Sequence, residues 1–216
     1  HIGRARGLFA RLAREWRVPL EVQNDGEVTA LAGSMSLGVN AILGVALGSS
    51  EASGYVTRDG HLTDWLNELA FAPIDYAPEA PRDEWSGDRG TGALYLSQQA
   101  VFRLAERADV PIPPARSAAD QLRFVQDRLE SGHAGAEAIW ETLGTYLGYA
   151  LAHYAEFYDL DHVLVLGRCS SGRGGALLVR HAQSVLATEF AGLARRLTLH
   201  LPDERSRRVG QAIAAA

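Results

Sequence analysis

A chain of 216 residues with 47% hydrophobic and 22% charged residues is long enough to bury a substantial core. Its formal net charge of -5 lacks the basic excess that a nucleic-acid surface needs. All 21 basic residues are arginine, which excludes a Schiff-base lysine and a phosphate-loop lysine. The single cysteine, Cys169, excludes an intrachain disulfide and a multi-cysteine zinc site. It reads either as a reactive thiol or as a small buried apolar residue, in a reducing compartment. No stretch approaches the ~20 apolar residues of a membrane helix, and no signal-peptide pattern is present. The first residue is His1 and the one methionine is Met35, so the chain reads as part of a longer protein.

Leu8, Phe9, Leu12, Ala13 and Trp16 recur at helical spacing among arginines, which predicts an amphipathic helix over 4–17 ended by Pro19. Leu20 to Gln23 reads as a short strand. Asn24 or Asp25 can cap a helix running toward Met35 with Glu27 in its first turn. Ala41–Leu47 is an apolar strand, followed by a Gly/Ser-rich turn over 48–54, a strand at Tyr55–Thr57 and a turn at Asp59-Gly60. The Pro-, Asp- and Gly-rich stretch 72–92 reads as loop. Helices are expected at about 97–108 and 117–130, with the proline connector 111–114 between them and Ser117 as a cap.

The longest helical pattern runs from about Ala134 to Tyr158. Gly144, Gly148 and Ala152 fall four apart in it and open one face to a close neighbour. Val163–Leu166 is an apolar strand ending in Gly167. A turn from Arg168 to Gly175 then opens a helix to about Phe190. A strand over 197–201 and a last helix near Pro202 complete the pattern. Strands alternating with helices, with one hairpin among them, predict an α/β protein built on a mixed sheet.

Four segments could carry chemistry. In Val22-Gln23-Asn24-Asp25-Gly26 a carboxylate sits where a strand gives way to a helix. That place suits a general base toward a hydroxyl, although helix capping alone also explains the pair. The turn Gly48-Ser49-Ser50-Glu51-Ala52-Ser53-Gly54 could wrap a phosphate with backbone amides, or be an ordinary hairpin in which Glu51 repels anions. Around Asp64-Trp65-Leu66-Asn67-Glu68, Glu68 could hold sugar hydroxyls and Trp65 pack on a sugar face, or both could be surface and core residues. The strand–turn–helix over 163–175 could meet a nucleotide. None of the seven histidines has metal-ligand spacing.

In order along the chain, these segments resemble the ROK family of bacterial sugar kinases and sugar-responsive repressors, from about residue 4 to 190. The family's strand ending in Asn-Asp is matched by Val22-Gln23-Asn24-Asp25. Its strand entering a Gly-Thr-Gly phosphate loop is matched by Val45 to Val56, and its Gly-Glu-Ile-Gly-His segment by Asn67 to Phe71. The zinc loop is matched by 87–95, and the Val-Leu-Gly-Gly adenosine segment by Val163 to Arg168. The resemblance implies the carboxy-terminal domain of an actin/hexokinase-like (ribonuclease H-like) fold over 1–216. A mostly helical insertion falls at about 93–132, and the amino-terminal ATPase half is absent.

The resemblance further implies that Asp25 acts as catalytic base and that Asn24 and Glu68 bind the sugar. Gly48, Ser49, Ser50, Gly167 and Arg168 face the nucleotide, with ATP and magnesium as cofactors if the protein is active. The departures carry expectations too. Phe71 stands at the zinc histidine and the zinc cysteines are missing, so no zinc is expected. Tyr95 replaces a sugar-binding Glu, the phosphate loop has lost glycines, and Arg168 stands at a second Gly. The sequence therefore leaves three readings: a sugar kinase when joined to its other half, a sugar-sensing transcriptional regulator, or a degenerate structural domain pairing through 97–130. A homodimer is expected, with nucleic acid contacted only through a missing amino-terminal segment. The setting is cytoplasmic, with no membrane contact.

Overall fold

The computed structural model describes residues 7–20, 23–63, 65–114 and 117–202. The strand expected at 20–23 and the helix expected near Pro202 fall largely outside these residues. Helix α1 (Leu8–Trp16) precedes α2 (Asp25–Leu37). Strands β1 (Ile42–Leu47) and β2 (Glu51–Val56) form an antiparallel hairpin. Helices α3 (Gly92–Tyr95), α4 (Gln98–Arg107) and α5 (Ala118–Glu130) follow a long loop, and α6 (Ala134–Tyr154) leads to β3 (His162–Leu166). Helices α7 (Gly172–Glu189) and α8 (Ala191–Ala194) precede β4 (Thr198–His200). The sheet order is β2-β1-β3-β4, with β3 parallel to both of its neighbours. The α/β architecture with a mixed sheet is thus as the sequence predicts.

The sheet separates two cores. Leu43, Val45, Leu47, Val163 and Val165 point into the larger, which α4 to α7 fill. Ile42, Val56 and Leu164 point the other way and meet Ala30 of α2. This alternation is the two-residue period of strands covered on both faces. The small residues of α6 do what their spacing implies. A Cβ on Gly144 would lie 2.5 Å from the Leu178 carbonyl oxygen, and one on Gly148 2.7 Å from Val185 Cβ, so α6 and α7 pack almost backbone to backbone. At the head of α7, the fully buried Trp140 lies against Gly174 and donates its indole N–H to the Cys169 carbonyl at 2.8 Å. Cys169 is buried with it, and burial pushes its thiol up to about 12. Of the two readings of this cysteine, the buried apolar residue is the one found.

The long helix, expected to about Tyr158, ends at Tyr154, and the boundary that bears on the site differs from expectation as well. The Gly/Ser turn expected over 48–54 contracts to 48–50, because the Gly48 amide bonds to the Ser50 carbonyl at 3.0 Å and the ladder starts at once with Leu47 opposite Glu51. Ala52, Ser53 and Gly54 are strand, not loop.

Candidate functional site

The start of α2 sits on the hairpin without side chains between them. A Cβ on Gly26 would lie 2.2 Å from the Ser53 carbonyl oxygen, and one on Gly54 2.3 Å from the Gly26 carbonyl oxygen. Only glycine permits that approach at each position. Asn24 is the cap of α2: its Oδ1 accepts the Gly26 amide at 2.8 Å, and the Asp25 Oδ1 accepts the same amide at 2.9 Å. The capping role weighed from sequence is therefore real. It is also the means by which both side chains are held at the sheet edge, with Asp25 exposed and Asn24 half-buried.

Glu68 reaches the same place from elsewhere in the chain. The Asn24 amide nitrogen donates to Glu68 Oε1 at 3.3 Å across a sequence separation of 44. Glu68 is seated by its buried neighbour Asn67, whose amide nitrogen donates to Glu27 Oε1 and to Thr63 Oγ1, each at 3.0 Å. The Asn67 Oδ1 accepts from Trp65 Nε1 and from the Tyr158 hydroxyl, each at 3.0 Å. The Ser53 hydroxyl donates to the Asn67 carbonyl at 2.5 Å and accepts the Leu69 amide at 3.2 Å. A buried polar network with its members bonded fixes geometry more firmly than isolated pairs do.

Two clefts meet at Asp25. One, of about 450 Å³, is lined by Asn24, Asp25, Gly48, Ser49, Ser50, Glu68 and Phe71 among others. The other, of about 470 Å³, is lined by Asp25, Gly26, Gly167, Arg168 and Ser171 with the small residues of α2. The fold thus brings Asn24, Asp25, Glu68, Gly48, Ser49, Ser50, Gly167 and Arg168 to two adjoining clefts. Trp65, weighed from sequence for sugar contact, lines neither cleft: its indole donates to Asn67, while Phe71 lines the first cleft.

The fit to a nucleotide is partial on the described residues. Arg168 is exposed beside the second cleft, and Ser49 and Ser50 are exposed beside the first. The Gly48 amide is taken up within its own turn. Gly167, at φ 95, has a separate reason to be glycine, since a Cβ there would lie 2.5 Å from the Leu47 carbonyl oxygen. Glu51 also lines the first cleft, but as the first residue of β2 rather than as part of the turn. It is buried beneath β2 against the Tyr154 hydroxyl at 3.2 Å, and burial pushes its carboxyl up to about 8, so it is uncharged near neutrality. Tyr95, at the position where a sugar-binding acid was expected, is buried too. It donates to Asp75, and burial followed by that bond raises its pKa.

Sequence reasoning named Asn67, Glu27 and Phe71 but gave no part to the Asn67–Glu27–Tyr158 network or to the Phe71–Trp85 stack. Asn67 carries little local signal, because Glu27 and Tyr158, which complete its bonding, lie far from it in sequence. Trp85 has one: an indole amid Asp, Glu, Ser and Gly has no apolar pattern to join.

No family model matches this sequence, nor does any curated protein sequence. Solved structures do match it in fold. A ROK hexokinase from Thermus thermophilus superposes with a TM-score of 0.73 at 16% identity, over 96% of this chain and 67% of its own. A ROK family glucokinase from Streptomyces griseus, in complex with glucose and AMPPNP, gives 0.71 at 18% identity, over 97% and 70%. A ROK family transcriptional regulator, a homologue of the E. coli MLC protein, gives 0.64 at 20% identity, over 96% and 54%. The chain therefore has the actin/hexokinase-like fold of these proteins and spans roughly half to two thirds of their length. Among the described residues no helix is long and apolar enough to cross a membrane.

Proposed function

We infer that this chain is the sugar-binding, carboxy-terminal part of a ROK-type protein, and that Asn24, Asp25 and Glu68 hold the sugar's hydroxyls. The observation that carries the reading is the Asn24–Glu68 hydrogen bond at 3.3 Å. It joins two segments distant in sequence on the wall of one cleft, with Asp25 at the junction with the next. Amide and carboxylate groups converging in a cleft are what hydroxyl recognition needs. The fold neighbours include sugar kinases, one of them holding glucose, which supports the same ligand class.

In the kinase form of this reading, Asp25 takes the proton of the attacking sugar hydroxyl while Asn24 and Glu68 orient the ring. ATP with magnesium would supply the phosphoryl group. Gly48, Ser49 and Ser50 would line its phosphate side, with Gly167 and Arg168 on its nucleotide side. Such a role would place the protein in the cytoplasm. A second form, a sugar sensor without turnover, is favoured by the short serine turn whose Gly48 amide is already bonded, and by the seating of Gly167 on Leu47.

A sugar panel with ATP on the full-length protein, wild type against Asp25→Asn, decides between them. Turnover lost in Asp25→Asn supports the kinase. Turnover surviving it refutes Asp25 as base. No turnover, with a sugar-induced rise in melting temperature, supports the sensor. The absence of both turnover and thermal stabilisation with every sugar refutes the sugar site itself.

A further inference from the structure

The cleft that holds Asn24, Asp25 and Glu68 has an apolar wall as well as a polar one. Phe71 lines it, at the end of the 3-10 turn Leu69–Phe71 that follows Glu68. Trp85 stacks on Phe71, with ring centroids 5.3 Å apart and 26° between the planes. Trp85 is 83% exposed, the most open of the large apolar side chains described.

Its loop is nonetheless tightly tied. The buried Asp83 accepts the Ser86 amide on Oδ2 at 2.7 Å and the Gly87 amide on its carbonyl at 2.8 Å, and its own amide bonds to the Asp88 carbonyl at 2.8 Å. The Arg82 guanidinium clamps the Gly87 carbonyl at 2.6 Å. The indole is thus held out in water by a built turn and stacked on Phe71, which lines the cleft. Leaving so large an apolar surface in water is unfavourable unless something covers it.

We propose that Phe71 and Trp85 form a stacking platform for the C–H face of a pyranose ring whose hydroxyls bind Asn24, Asp25 and Glu68, with Trp85 as a specificity residue. The inference rests on the sugar-site reading. A pyranose offers ring C–H groups on its faces and hydroxyls around its edge. A stacked pair of aromatic rings beside convergent amide and carboxylate groups matches both at once. No polar atom of Phe71 competes for the ligand.

The test is saturation-transfer NMR and calorimetry on the full-length protein with D-glucose and N-acetyl-D-glucosamine. Wild type is compared with Trp85→Ala, Trp85→Phe and Glu68→Gln. Wild-type binding should shift the sugar's ring C–H protons upfield through the aromatic ring current. Trp85→Ala should weaken binding about tenfold and abolish that shift, while Trp85→Phe keeps most of both. Trp85 is exposed, so its removal leaves the fold intact; a melting curve checks this.

Wild-type affinity in Trp85→Ala, with binding still lost in Glu68→Gln, overturns the platform and leaves the sugar site standing. A wild type that binds neither sugar overturns both. A sugar-independent dimer that Trp85→Ala dissociates assigns the indole to a second copy of the chain and overturns the platform.

Discussion

Replacing Glu51 by glutamine isolates a single buried proton. Glu51 lies 4% exposed against Tyr154, and burial raises its carboxyl from 4.5 to about 8. In the unfolded chain the same group loses its proton near 4.5. Between those values the folded chain holds a proton that the unfolded chain has released, so stability falls as pH rises through the window and levels off above about 8. Each tenfold change in proton affinity corresponds to about 1.4 kcal/mol. The full displacement then amounts to roughly 5 kcal/mol above pH 8, and to roughly 3 kcal/mol at pH 7. That is comparable to the whole stability of many domains.

Glu51→Gln keeps the shape and the bond to Tyr154 but cannot ionise. Denaturant midpoints for both proteins at pH 5, 7 and 9 should show the variant gaining on wild type at each step. A stability difference that stays constant from pH 5 to pH 9 would refute the reasoning.

Three further outcomes are expected. Gly26→Ala should cost about 1–3 kcal/mol or more and weaken sugar binding, since its Cβ falls 2.2 Å from the Ser53 carbonyl oxygen; chemical denaturation and calorimetry measure the two effects. Asn67→Asp should cost about 2–3 kcal/mol at pH 7 by turning the donor to the buried Glu27 into a second acid, with part of the loss recovered at pH 4. His200 Nε2 lies 3.1 Å from His162 Nδ1, and burial, then the charge of His162, lowers its pKa. The unfolded chain therefore takes up this proton first, so the melting temperature should fall as pH drops below 6.5. His200→Gln should flatten that fall.

The sequence carried the architecture because its signals were local. The strand of β1, the small face of α6 and the cap at Asn24 each announce themselves within a few residues. The candidate site was legible for the same reason at Asn24-Asp25, where a cap and a sheet edge coincide. What surrounds it was not. Glu51 alternates with Ala52 and Ser53 in a segment that reads as turn, and only the ladder opposite Leu47 makes it a strand residue facing inward. Asn67 depends on Glu27, Thr63, Trp65 and Tyr158 at once, and no window of sequence contains all of them. Phe71 and Trp85 become neighbours through the closure of the 72–91 loop, which no periodicity predicts.

Ser53 touches both sides of the cleft. Its carbonyl abuts Gly26, which carries Asn24 and Asp25, and its hydroxyl ties the Asn67 backbone, which carries Glu68. One strand residue therefore acts as a gauge block between the two jaws. The gap is set by backbone thickness and one short bond, not by the rotamers of the lining. Side chains around the mouth can therefore change in identity while its width stays the same.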